Sequence, residues 1–266
     1  MSNNLIPRQM HLEFLDTVRS YELNITKKNL PTSAKDAPPI RLLEIGAGTG
    51  IQAQRLSGMG YEVTALDVQT SSYRDIRCFD IVEYDGINIP LPNNSYDVVF
   101  SSHVLEHVTH LDEVLKETYR VLACDGVCVH LVPTPSCRAW TLAAHYIWLI
   151  RRIIKKLKTA QNTATDNKDI PRTPTSAKAW LWTLFPARHG ERGNTVTEIY
   201  YYSRAFWHKK FTENNFEIIH MESNKLFYTM ANSLGPSVSI KKRQRLARLL
   251  GSAGHIYVLK KKNENQ

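Results

Sequence analysis

The stretch that most constrains this chain is Arg41-Leu42-Leu43-Glu44-Ile45-Gly46-Ala47-Gly48-Thr49-Gly50. The apolar run from Ile40 to Ile45 is of the kind that forms a buried parallel strand. Three glycines at alternate positions follow at once, and a helical pattern begins near Ile51. Glycine tolerates positive φ and has no Cβ, so backbone at such a strand-to-helix turn can approach a ligand closely. The first N–H groups of the helix and the positive end of its dipole then face whatever carboxylate or phosphate sits there. A dinucleotide fingerprint needs its third glycine two residues beyond the second, in G-x-G-x-x-G. Here residue 51 is Ile and the third glycine is Gly50, which disfavours a nicotinamide dinucleotide.

Further motifs follow in order. Asp67 closes a second apolar run, Val63-Thr64-Ala65-Leu66-Asp67. Tyr84-Asp85-Gly86 then precedes Ile89-Pro90-Leu91-Pro92-Asn93-Asn94-Ser95-Tyr96-Asp97-Val98-Val99-Phe100. Taken with E-x-G-x-G-x-G ending at Gly50, these stretches resemble the class I S-adenosylmethionine (SAM)-dependent methyltransferases of the methyltransferase type 11-like group. The likeness runs from roughly Leu42 to Val132, with Asn93 where that family often carries Asp. It implies a Rossmann-like, doubly wound α/β fold: a seven-stranded sheet, mostly parallel with an antiparallel last strand, plus a helical insertion. It also implies SAM as cofactor. Glu44, Gly46, Gly48 and Gly50 would form the part of the site facing the methionine moiety. Asp67 would accept from both ribose hydroxyls, Asp85 and Gly86 would approach the adenine amino edge, and His103 would touch the cofactor. The plainer alternatives are an empty glycine turn, a surface carboxylate at Asp67 and a simple turn at Asp85.

At 266 residues the chain is long enough for a well-buried core. On that resemblance the whole chain, 1–266, is read as a single SAM-methyltransferase domain. The parts are an N-terminal helical arm (1–30), a cofactor-binding core (40–135), an acceptor-side insertion or lid (136–202) and the C-terminal part of the sheet (203–262). Met10, Phe14, Val18 and Tyr21 recur at helical spacing in the arm. Cys78, Cys124, Cys128 and Cys137 form no C-x-x-C pair, so reduced thiols in a cytoplasmic core are expected. Met1 to Gln9 lacks the apolar segment of a signal peptide, and no transmembrane span is visible. The net charge of +9 concentrates in 151–158, 241–245 and 260–262. Such clusters serve nucleic acid, acidic lipid or solubility alone.

His103-Val104-Leu105-Glu106-His107 formally matches the H-x-x-E-H zinc signature, which on a helix would put both histidines on one face. The stretch directly follows an apolar strand ending at Ser101-Ser102, where the resembling family places a segment lining its site. No metal is therefore expected, and His107 is read as either a satisfied core histidine or an acceptor-side residue. Pro186 to Asn194 is a polar, glycine-containing loop in an aromatic neighbourhood. There His189 or Glu191 could deprotonate a hydroxyl. With His107 they are the candidate catalytic residues, against the alternative of a merely solvated loop.

From Trp140 to Lys158, aromatic and aliphatic bulk precedes a basic run. It is too short to span a bilayer but suits peripheral contact with an anionic membrane, at the inner face if the protein is cytoplasmic. A core-packed helix with a solvated basic end is the simpler reading. The expected activity is methyl transfer from SAM to a small-molecule or glycan acceptor, a hydroxyl of a cell-surface sugar or lipid-linked precursor. The alternatives are methylation of RNA or another macromolecule, and a non-catalytic SAM-binding protein. No dedicated nucleic-acid module is visible, and oligomeric state has no signature in the sequence.

Overall fold

The computed structural model describes residues 5–34, 37–161, 188–229 and 237–262. The apolar runs become seven strands: β1 (Arg41–Ile45), β2 (Glu62–Val68), β3 (Ile81–Tyr84), β4 (Tyr96–Ser102), β5 (Leu122–Pro133), β6 (Phe216–Ser223) and β7 (Gly254–Lys261). They form one sheet in the order β3-β2-β1-β4-β5-β7-β6. Pairing is parallel from β3 through β5, whereas β7 runs antiparallel to both β5 and β6. This is the doubly wound sheet expected from the sequence. The strand order reverses at β1/β4, and ligands of such sheets bind beyond the carboxyl ends of strands at that point.

Helices α1 (Leu5–Thr26), α2 (Ile51–Gly58), α3 (Leu111–Val121), α4 (Pro135–Gln161), α5 (Glu198–Tyr201), α6 (Arg204–Glu213) and α7 (Ile240–Leu250) accompany the sheet. In α3 the stripe Leu111, Val114, Leu115, Thr118 and Val121 is buried, as its 3.6-residue spacing requires. Together with Trp207, Phe211 and Tyr257 it contributes to the larger core on one face of the sheet. Leu23, Leu30, Leu56, Phe100 and Ile256 belong to the core of the other face. Ser203 caps α6 by accepting from the Phe206 N–H, and Ser239 caps α7 in the same way through Lys242.

Three differences from the sequence reading have physical causes. In the sequence Asp125-Gly126 reads as a turn into a strand over Val127 to Val132, whereas β5 begins at Leu122. Leu122 pairs with Tyr96 before the register shifts to Val98–Val127, so Asp125-Gly126 is taken up as an irregularity within the strand. The basic cluster 241–245 is not uniformly solvated. Arg243 is buried, donates to the carbonyls of Val238 and Phe227, and lies 4.7 Å over the Phe14 ring. Of the cysteines, only Cys128 and Cys137 are in the core, and Cys78 and Cys124 are exposed. The polar stretch with two prolines that reads as a linker over Thr159 to Ser176 begins within α4, which runs to Gln161; its remainder and the aromatic segment around Trp180 and Trp182 lie outside the described residues.

Candidate functional site

The carboxyl ends of β1, β2 and β4 converge on the glycine turn. The N–H groups of Gly46 and Ala47 both donate to the Leu66 carbonyl, at 2.8 and 2.9 Å, which ties the turn to the end of β2. Gly46 has φ 73°, and a Cβ there would stand 2.4 Å from Val104 Cγ2, so only glycine fits. Gly48, at φ 57°, presents its missing side chain to a more open space, in ordinary contact distance of the Tyr73 ring. Helix α2 starts directly after Gly50.

Two carboxylates at this turn are buried and incompletely partnered. Asp67, 7% exposed, uses Oδ1 to accept from the Val68 N–H, while its Oδ2 has no hydrogen-bond partner among the described residues. Glu44, 2% exposed, likewise leaves Oε2 without a partner among them. Burial, and secondarily the charge of Asp67, pushes the Glu44 carboxyl up to about 8. Buried acceptors without donors are rare and call for a ligand or ordered water. A ligand carrying hydroxyl donors and a cationic group answers both needs, and SAM has a ribose diol, an ammonium and a sulfonium. The cradle and the orphaned oxygens therefore fit that cofactor.

Asp85 follows β3, and Gly86 has φ 86° with Val68 packed against its open side. The Asp85 carboxylate is engaged locally, accepting from the N–H groups of Ile87 and Asn88 and from Asn88 Nδ2, and these bonds lower its pKa. It is a turn-forming residue whatever else it contacts.

The stretch 103–107 is not the helix that a zinc signature would need. His103 adopts φ 56°, and only Leu105–His107 forms a short 3₁₀ turn. His103 is enclosed, its Nε2 3.2 Å from Glu22 Oε1 and 3.0 Å from the Tyr228 hydroxyl, its Nδ1 3.6 Å from Glu106. Burial and Arg19 oppose its protonation, but the two carboxylates outweigh them and raise its pKa. Glu22 is held well below the usual carboxylate range despite complete burial, by His103 and Arg19.

His107 is exposed, which removes the core-histidine reading. Its ring meets that of His189 edge to face, with centroids 4.7 Å apart. His189 sits on a loop fastened to the 3₁₀ turn. Glu191 N–H donates to the Glu106 carbonyl at 3.0 Å, and Arg192 donates to the carbonyls of Leu105 and Val108. The loop's other anchor is Glu198, fully buried, which accepts from the His189 N–H at 2.8 Å and pairs with buried Arg138 of α4 at 2.7 Å. The surrounding chain and the neighbouring His107 push His189 down to about 4, although part of it remains exposed. Of the three candidate catalytic residues, the structure brings His107 and His189 together. Glu191 instead turns its carboxylate to Arg188, at 3.1 Å.

Glu22, Asn224 and Tyr228 escaped the sequence reading. Asn224 Nδ2 and the Tyr228 hydroxyl each donate to Glu22 Oε1 at 2.8 Å. A signal for Glu22 existed: it continues the Phe14–Val18 stripe of α1 at the next i+4 position, where an apolar residue would be expected.

On α4, Leu149 is buried whereas Tyr146, Ile147, Trp148, Ile150, Ile153 and Ile154 are exposed, with Arg152 4.9 Å over the Trp148 ring. Among the described residues no helix is long and apolar enough to cross a membrane.

Comparison with known proteins bears on the family and the fold. A family model described as a methyltransferase domain matches residues 19–221. Over 135 residues the chain is 30% identical to a ubiquinone/menaquinone biosynthesis C-methyltransferase of Rhodopseudomonas palustris, covering 46% of this chain and 50% of that protein. Over 124 residues it is 29% identical to a ubiquinone biosynthesis O-methyltransferase of Paramagnetospirillum magneticum, covering 41% and 49% respectively. The chain thus spans about half the length of these curated relatives. A crystal structure of an S-adenosylmethionine-dependent methyltransferase from Mesorhizobium loti matches with a TM-score of 0.52 at 16% identity, over 90% of this chain and 97% of that one. At that identity the likeness concerns the fold alone.

Proposed function

The chain belongs to the class I SAM-dependent methyltransferase family, and we propose that it transfers a methyl group from SAM to a hydroxyl of a small molecule, a cell-surface sugar or lipid-linked precursor. When bound, SAM would supply a sulfonium methyl already activated for in-line displacement; this chain would align the acceptor hydroxyl with it, and the hydroxyl proton would pass to the His107–His189 pair or to water. The glycine turn admits the methionine moiety by offering backbone where side chains would collide. Asp67 Oδ2 would take the ribose hydroxyls, and Glu44, which keeps its proton at neutral pH in the cofactor-free chain, would release it to face the cation. Alignment of this sort can supply roughly 7–11 kcal/mol of barrier reduction.

His107 and His189 form the acceptor wall. Glu198, Arg192 and the backbone of Glu106 hold that wall against the end of β4. A lipid-linked acceptor is supported by the exposed aromatic and aliphatic face of α4, whose first turn is joined to the His189 loop through Arg138 and Glu198. We infer that this face rests on anionic lipid.

The observation that carries the reading is the pair of buried, donorless oxygens on Asp67 and Glu44 beside the glycine turn. The test is incubation with methyl-labelled SAM and fractionated small-molecule, lipid and RNA pools. Label in a small-molecule or lipid fraction, lost with Asp67→Ala, is the expected result. Label in RNA would replace the acceptor class, and SAM binding without transfer to any pool would leave a non-catalytic binder.

A further inference from the structure

Three donor groups from two distant stretches meet at the acceptor wall. Glu106, His107 and His189 each offer one donor atom, and these lie within 4.8 Å of one another. Glu106 is 1% exposed, and neither carboxylate oxygen accepts a hydrogen bond from the described residues. Its ion pair with His103 Nδ1 is 3.6 Å long, beyond hydrogen-bonding distance. His103 thus faces Glu106 as an ion-pair partner without a hydrogen bond, and both carboxylate oxygens keep lone pairs that a further cation could use. The two imidazoles, edge to face and open to solvent, stand where such a charge would be held.

The backbone that carries these donors is fixed by contacts that leave the donor atoms free. A Cβ on Gly190 would come within 2.7 Å of the Glu106 carbonyl oxygen, so a glycine there lets the loop close onto the 3₁₀ turn. The Glu191 N–H then binds that same carbonyl, and Arg192 binds Leu105 and Val108. Glu198 clamps the His189 N–H from behind. These bonds fix the backbone that carries the three donors, while the imidazole rings stay able to adjust.

We propose that Glu106, His107 and His189 form a binding site for one divalent transition-metal cation of zinc-like preference. Two imidazoles and one carboxylate are a donor set of open catalytic sites, leaving positions for water or substrate. Donors around a tetrahedral zinc stand about 3.4 Å apart, as metal–nitrogen distances of about 2.0–2.1 Å dictate. The present spread of up to 4.8 Å must shrink on binding by rotation of the two exposed imidazoles. This set is not the H-x-x-E-H helix pair, because His103 faces Glu22 instead. The role of the cation rests on the methyl-transfer reading: its open positions would take an acceptor hydroxyl and ease departure of that proton to water. The binding itself does not depend on that reading.

The test uses the full chain freed of metal with a chelator and titrated with Co(II), read by visible d–d absorption, then with Zn(II) in competition. One equivalent of Co(II), displaced by Zn(II), is expected. His107→Ala and His189→Ala should each weaken it by at least about 10–100-fold, while SAM affinity, read by calorimetry on the same samples, stays within about twofold. His189→Gln, on a surface loop, serves as the conservative variant if either alanine variant proves misfolded by circular dichroism. No uptake by the wild-type chain, or equal uptake by all variants, overturns the site. Loss of SAM binding with Co(II) uptake intact would instead overturn the cofactor reading.

Discussion

Glu22 Oε1 lies 3.2 Å from His103 Nε2, joining α1 to the residue after β4 across 81 positions of sequence. The pair is shut away from water: Glu22 is 0% exposed, and Arg19, Asn224 and Tyr228 supply its remaining donors. An ionised carboxylate in such a place persists because every nearby donor is directed at it. The same bonds hold His103 at φ 56°, a conformation costly for a residue with a Cβ.

Removal of one partner should therefore be expensive. Glu22→Ala is expected to lower unfolding free energy by about 3–5 kcal/mol, the range for breaking a buried ion pair. Glu22→Gln, which keeps the shape and one acceptor, should lose less. Urea denaturation followed by circular dichroism measures both, and a change under about 1 kcal/mol for the alanine variant would contradict the role assigned to the pair.

Glu44 predicts a pH dependence whose sign is fixed. Its carboxyl is raised from the ordinary 4.5 to about 8 in the folded chain. Between those values the folded state keeps a proton that the unfolded state has lost, so stability contributed by this group falls as pH rises. The slope is at most about 1.4 kcal/mol per pH unit. Thermal melts of the cofactor-free chain from pH 5 to pH 8 should show it, and Glu44→Gln should flatten it. Identical pH profiles for the two proteins would dismiss the effect.

Asp67 should act on affinity rather than folding. Among the described residues its Oδ1 accepts only from the next residue's N–H, and its Oδ2 has no partner. Two charge-assisted hydrogen bonds to a ribose diol are worth about 1.5–3 kcal/mol each. Asp67→Ala should accordingly weaken SAM by more than about a hundredfold with little loss of melting temperature. Calorimetric titration decides, and retained affinity would remove Asp67 from the site.

The exposed face of α4 can be examined with vesicles. Ile147 and Ile150 are 55% and 56% exposed, beside Trp148 and a basic continuation. Replacing both isoleucines with Glu should reduce co-sedimentation with anionic liposomes at low salt by about tenfold or more. SAM affinity should be unaltered. Absence of vesicle binding by the wild-type chain would dispose of membrane contact.

Local features were legible in the sequence, and long-range ones were not. The glycine turn, Asp67 and the α3 stripe announce themselves within a few residues, because φ, strand ends and helical period are set locally. The edge pair β6 and β7 followed from the family resemblance. The start of β5 was misjudged because Asp125-Gly126 looks like a turn, and only the register against β4 shows that it lies inside a strand. His107 could not be assigned as exposed, nor Arg243 as buried, without knowing what packs on them. The cage around His103 was least accessible of all. Its members come from α1, the segment after β6 and the 3₁₀ turn, and no local pattern links Glu22 to Tyr228 across 206 positions.

The buried Arg138–Glu198 contact has a mechanical meaning. Arg138 lies in the opening turn of α4, and Glu198 grips the main chain of His189. Arg138 also donates to the Thr195 carbonyl, so the opening turn of α4 holds the His189 loop at more than one point. A displacement of that turn would therefore be passed to the main chain of His189 rather than absorbed by the loop.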